Sequence, residues 1–199
     1  TWEAQTDPRE STAMPSAYVV YTRSGGGGFD NGTVVSSTSY TMTPEPGIQY
    51  DFKVTAINDG GESFASPIVS ALYESAEAKT VLVVNGFDRL SAPQVVDDGR
   101  RQGFGGEEMA GLFVAGNDLS YVATHTSAIA SGHKYNVVSC DRAAIDSRKV
   151  ALADYSCVDL ILGMQRYTPY AVQYYKTFTP AWQEMFRAYT QQGGRLLVS

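Results

Sequence analysis

The chain has 199 residues, of which 43% are hydrophobic, 12% aromatic and 18% charged. That apolar share can build packed cores and excludes wholesale disorder, while a net charge of −6 argues against nucleic-acid and anionic-membrane partners. No apolar run approaches the roughly 18 residues that a membrane-spanning helix needs.

The charge is uneven. Residues 1–75 hold three basic side chains (Arg9, Arg23 and Lys53) against nine acidic ones, a balance of −6. By subtraction, residues 76–199 hold 12 of the 15 basic and 12 of the 21 acidic side chains and are neutral. Usage shifts at the same place from Ser, Thr, Tyr and Gly to Leu, Ala and helix formers. The step predicts two domains, 1–75 and 76–199, joined at a short polar seam over residues 74–79.

In the first part, residues 18–23 (YVVYTR) are β-branched and aromatic, which predicts a strand ending at the run Gly25 to Gly28. Over 49–58, Tyr50, Phe52, Val54 and Ala56 alternate with Asp51, Lys53 and Thr55. A period of two predicts a strand with one buried and one wet face. Pro46-Gly47 turns into it and Asn58-Asp59-Gly60-Gly61 turns out of it. The glycine run has no helix behind it and no Lys-Ser/Thr pair, so it is read as a turn and not as a phosphate cradle. Short strands between such turns predict a β-sandwich. The pattern Pro46-Gly47, Tyr50, Phe52, Val54, Ala56, Asn58, Gly61, Ser63, Ser66 resembles the closing strands of a fibronectin type III domain. The resemblance implies an Ig-like sandwich with Trp2 as its core tryptophan. It also makes Tyr50 the corner tyrosine whose hydroxyl reaches back to the backbone. By the same comparison, the sandwich is expected to be clipped before Thr1.

In the second part, residues 80–84 (TVLVV) form a continuous apolar run, as a strand buried on both faces should. Residues 135–139, 158–162 and 195–199 repeat that character. Helix-like stretches over 107–114, 126–131, 142–153 and 180–192 lie between them, predicting a three-layer, doubly wound parallel sheet. Thr179 followed by Pro180 reads as a helix start and Gly193-Gly194 as its end. Trp182, Met185, Phe186 and Tyr189 make one apolar stripe on that helix.

Ligands of such sheets sit beyond the carboxyl ends of the strands. The candidate binding rim is therefore Asn85, Asp88 and Arg89 after the first strand, Asp141 after the second, and Gln165 and Arg166 after the third. Residues 90–106 would lie over it as a lid. No catalytic residue is assigned. Asn85-Gly86-Phe87-Asp88 is not a dinucleotide-binding turn, and no cofactor is expected. His125 and His133 have no Cys or carboxylate at ligand spacing, so no metal is expected either. Cys140 should end one strand and Cys157 begin the next, at opposite edges of the sheet and too far apart to bridge. Cys140 beside Asp141 is read as a small hydrophobe rather than a nucleophile.

The order VDLILGMQ, a long helix, then GGRLLVS resembles class I glutamine-amidotransferase-like domains of flavodoxin-like architecture. Catalytic members carry their nucleophile beyond the strand that follows such a Gly-Gly turn, a point past Ser199. A type III module joined to KTVLVVNGFDRLSAP also resembles large secreted bacterial proteins labelled xanthan lyases. That implies an exported protein, in the periplasm, on the cell surface or outside the cell, acting on or near polysaccharide. The chain is then expected to be a non-catalytic structural and binding region. Its partners would be a polysaccharide or cell-envelope glycan and the neighbouring domains. The alternative is part of a polysaccharide-degrading lyase, or an amidotransferase-like or hydrolase-like α/β enzyme whose catalytic residues lie partly elsewhere. A lyase needs a base and a neutraliser for the uronate carboxylate, on scaffolds that this pattern does not predict.

Overall fold

A computed structural model describes residues 1–87, 91–96, 111–164 and 176–199, with the backbone alone for 91–96 and 111–116. The first part contributes β1 (Ala17–Ser24), β2 (Thr33–Val35), β3 (Gln49–Asn58), β4 (Gly61–Glu62) and β5 (Val69–Leu72). All their pairings are antiparallel: β1 lies between β2 and β3, and β3 also takes β4 and β5. Residues 1–16 and 36–48 carry no strand. Trp2 nevertheless packs edge-on against Tyr18 with ring centres 5.5 Å apart. Its backbone N–H donates to the Thr38 carbonyl at 3.0 Å. The Tyr50 hydroxyl accepts from the Glu45 N–H at 3.3 Å.

One expectation fails in β3. The face read as wet carries the two buried residues of the strand, Asp51 and Thr55. Each is covered by bonded neighbours that alternation cannot show. Asp51 receives Arg23 Nε at 2.7 Å, Gln49 Nε2 at 2.8 Å and the Ser70 hydroxyl at 2.5 Å. The Thr55 hydroxyl donates to Glu62 at 2.6 Å. A buried carboxylate is tolerated when its oxygens are filled in this way.

The second part contains β6 (Lys79–Asn85), β7 (Ser91–Val96), β8 (Gly111–Gly116), α1 (Tyr121–Ala130), β9 (Tyr135–Asp141), α2 (Arg142–Asp146), β10 (Cys157–Ile161), α3 (Pro180–Gln191) and β11 (Arg195–Val198). The parallel strands stand in the order β9-β6-β10-β11. Their side chains separate by face. Leu82, Val84, Cys140, Val158 and Leu160 pack with Ile145 after the start of α2 and with Trp182, Phe186 and Tyr189 of α3. Val83, Val137 and Ile161 pack with Phe87 and with Val122 of α1 on the other side. Thr179 caps α3 by accepting from the Trp182 N–H, and Gly193 closes it with φ +89. The predicted stripe of that helix is its buried face.

The two parts share one sheet. β5 pairs antiparallel with β9, so nine strands among the described residues form a mixed sheet ordered β11-β10-β6-β9-β5-β3-β1-β2, with β4 beside β3. The protein is thus a mixed α/β molecule with helices on both faces of its parallel part. At the seam, backbone register spans a single pair, Leu72 and Val137, and two side chains of β9 extend it. The Ser139 hydroxyl accepts from the Ser70 N–H at 2.6 Å and donates to the Ser70 carbonyl at 2.8 Å. Asn136 accepts from the Glu74 N–H at 2.7 Å and donates to the carbonyls of Ser75 and Ala78 at 2.9 and 3.1 Å.

Two helix expectations are corrected. Where 107–114 read as helix, residues 111–114 belong to β8, which pairs along its whole length with β7; β7 in turn replaces part of the expected lid. Their Val and Phe residues favour strand, and the pairing lies far apart in sequence, so periodicity missed it. Residue 90 and residues 97–106 of the lid, with 107–110 of the expected helix, lie outside the described residues. The stretch 142–153 is not one helix: α2 ends at Asp146, Arg148 takes φ +56, and a 3₁₀ turn follows at Leu152–Asp154. Among the described residues no helix is long and apolar enough to cross a membrane.

Candidate functional site

Register fixes the rim. Asn85 at the end of β6 stands level with Asp141 at the end of β9 and with Ile161 at the end of β10. Two of the expected rim residues, Asn85 and Asp141, are thus brought together. Asp88, Arg89, Gln165 and Arg166 lie outside the described residues. β6 and β10 are tied one step beyond the ladder by the Gly86 N–H donating to the Ile161 carbonyl at 2.7 Å. A Cβ at Gly86 would stand 2.7 Å from Leu160 Cδ1 and 2.8 Å from that carbonyl, so only glycine permits the approach.

Asn85 is 5% exposed. Its Nδ2 makes a long 3.5 Å contact to the Phe87 carbonyl, and its Oδ1 accepts no hydrogen bond. Leaving such an acceptor unfilled in the interior costs about 1–3 kcal/mol. Asp141 caps α2, its Oδ1 accepting from the Ala144 N–H at 3.0 Å.

Two rim groups were not foreseen. Arg142 donates to the Gly86 carbonyl at 3.2 Å, pairs with Asp146 at 3.3 Å and lies 4.4 Å from the centre of the Trp182 ring. It thereby joins β6, α2 and α3 below the rim. Asn117, between β8 and α1, accepts from the Met164 N–H at 2.6 Å and brings that connection against the exit of β10. The adjacency of Arg142 to Asp141 was a usable signal for the first; Asn117 had none.

Cys140 points to the α3 side of the sheet and Cys157 to the α1 side, and both thiols are free. Burial, with the Asp141 charge adding, pushes the Cys140 thiol up from 9.0 to about 12. That is the opposite of an activated nucleophile. Among the described residues no three His, Cys, Asp or Glu side chains converge to hold a metal.

A second polar pair lies on the α1 side. Asp159, in the middle of β10 and 4% exposed, bonds His125 of α1 through Oδ2 at 2.7 Å. Its Oδ1 accepts nothing, and the Thr126 hydroxyl beside His125 is likewise buried without a partner. Reading the histidines by ligand spacing missed this contact, because the sheet brings together residues 34 apart. The signal was an acid inside the apolar run VDLIL.

No family model matches the chain, and no curated protein is detectably similar to it in sequence.

Proposed function

We propose that the chain is a structural and binding region of an exported protein that works on or beside polysaccharide. In this reading the rim at Asn85 and Asp141 takes the glycan. The observation that carries it is the buried Asn85 Oδ1. The fold gains nothing from an unfilled acceptor, whereas a sugar hydroxyl supplies the missing donor. The parallel order β9-β6-β10-β11, read in chain order as 2-1-3-4, supports the flavodoxin-like assignment. Its order reverses between β6 and β10, where such sheets bind ligands. For 1–75 the Tyr50 to Glu45 bond and the Trp2–Tyr18 contact support a fibronectin type III-like reading, although the described strands there lie in one sheet where a sandwich has two.

Equilibrium binding to acidic and neutral polysaccharides, with absorbance of unsaturated uronates followed in parallel, tests the reading. Binding that Asn85→Leu abolishes without loss of stability is the expected result. Clear formation of unsaturated products would end it in favour of the lyase. The hydrolase-like alternative is favoured by one observation, the Asp159–His125 pair.

A further inference from the structure

We propose that His125 and Asp159 form a general-base dyad that hydrolyses small carboxylic esters on the open face of β10 and β11. The inference goes beyond glycan binding at the rim and does not depend on it. Asp51 and Asp159 are both buried in the same sheet, and their surroundings differ. Asp51 has both oxygens filled by Arg23, Gln49 and Ser70, the pattern of a structural carboxylate. Asp159 has one partner, His125 Nδ1, and its other oxygen is unfilled. It is a carboxylate committed to one imidazole.

That contact makes Nδ1 the protonated nitrogen of the neutral ring and leaves the Nε2 lone pair free. It also holds the ring orientation. The Asp159 side chain is 5% exposed and the His125 side chain 28%, so the imidazole is the more exposed member of the pair. No described group bonds Nε2. Leu197 of β11 stands level with Asp159 on the same face and is 56% exposed, an apolar floor beside the ring. Arg195, on the same face and level with Cys157, lies about 7 Å back toward the start of the strand. It offers a cation for developing negative charge.

These parts select the reaction. Among the described residues this single base has no second carboxyl group beside Asp159, the pair that glycosidic cleavage ordinarily takes. It can activate water against a carbonyl that is already electrophilic and has a good leaving group. His125 Nε2 takes a proton from water as the water oxygen bonds to the ester carbonyl carbon, the carbonyl oxygen gaining charge toward Arg195. The bond from that carbon to the alkoxy oxygen then breaks, and the imidazolium returns the proton to the departing alcohol. His125 is the catalytic residue and Asp159 a positioning residue.

The test is steady-state hydrolysis of p-nitrophenyl acetate by the intact 199-residue chain. The chain has two histidines, so His133→Gln is the internal control; that ring is exposed and pairs with Glu74. The expected result is a loss of about tenfold or more in His125→Gln, with His133→Gln unchanged. Asp159→Asn should lower kcat about tenfold or more while KM stays within about twofold, because its effect passes through the ring. The proposal is overturned if the wild-type chain is no faster than His125→Gln, or if both histidine variants fall together. It is equally overturned if a folded Asp159→Asn keeps its kcat, or if an acetyl group is trapped on His125, which would make it a nucleophile. Should Asp159→Asn not fold, the comparison of the two histidine variants decides alone. Glycan binding is measured separately, so either reading can fail without the other.

Discussion

Burial by the surrounding sheet, more than residue type, sets what each thiol and carboxylate can do. Cys140 and Cys157 both have raised pKa values, Cys140 most strongly. For Cys157 burial comes first, the Asp159 charge adds to it, and Arg195 opposes. Both thiols should therefore react slowly with a disulfide reagent at pH 8 in the folded protein, Cys157 ahead of the more deeply buried Cys140, and both at once after denaturation. A thiol whose folded pKa lies above its unfolded one contributes stability in full below the unfolded value. For Cys140 that contribution is present below 9.0 and is lost as the pH climbs toward about 12. Alkaline denaturation should accordingly begin inside that window and move upward in Cys140→Val. Asp141 is a cap as well as a rim group. Asp141→Ala should cost about 1 kcal/mol in urea denaturation while Asp141→Asn stays close to wild type. The place of Asn85 at a strand end was legible because it directly follows the apolar run 80–84. Asp159 was overlooked because its partner is set by tertiary structure.

At the scale of elements, the seam between β5 and β9 rests on side chains standing in for a backbone ladder. Ser139→Ala strips partners from the Ser70 N–H and carbonyl, and Asn136→Ala does the same for residues 74–78. Each should cost about 1–3 kcal/mol. Amide exchange should accelerate in β5 and β9 well before β6 or β10. At the rim, Gly86→Ala forces a methyl into Leu160 and the Ile161 carbonyl. It should lower stability and spread the ends of β6 and β10, read as faster exchange of the Gly86-equivalent amide. The strands of the parallel part were legible because double burial leaves an unbroken apolar run, and α3 because its caps and stripe agree. The β7–β8 ribbon was not, since strand pairing across a long connection leaves no periodic trace. The end of α2 was not legible either: a left-handed Arg148 is set by packing, and no local breaker marks it.

Over the whole molecule, the compositional step at residues 74–79 marks a change from antiparallel to parallel pairing within one sheet. Arg23, Asp51, Ser70 and Ser139 form a bonded polar row from β1 to β9. Gln49 adds a bond to the Ala123 carbonyl of α1 at 3.1 Å. A sheet joined in this way should melt as a unit, giving a single calorimetric transition whose calorimetric and van't Hoff enthalpies agree. Two separated transitions would show that the seam is weaker than its hydrogen bonds suggest. The same continuity ties the rim to the first part through one sheet. The most direct measurement is an amide NMR titration of the chain with oligosaccharides of an exported acidic polysaccharide. The account predicts shifts confined to Asn85, Gly86, Asp141, Arg142 and the end of β10, lost in Asn85→Leu. Saturable shifts centred instead on β1 to β4, or persisting unchanged in that variant, would contradict it.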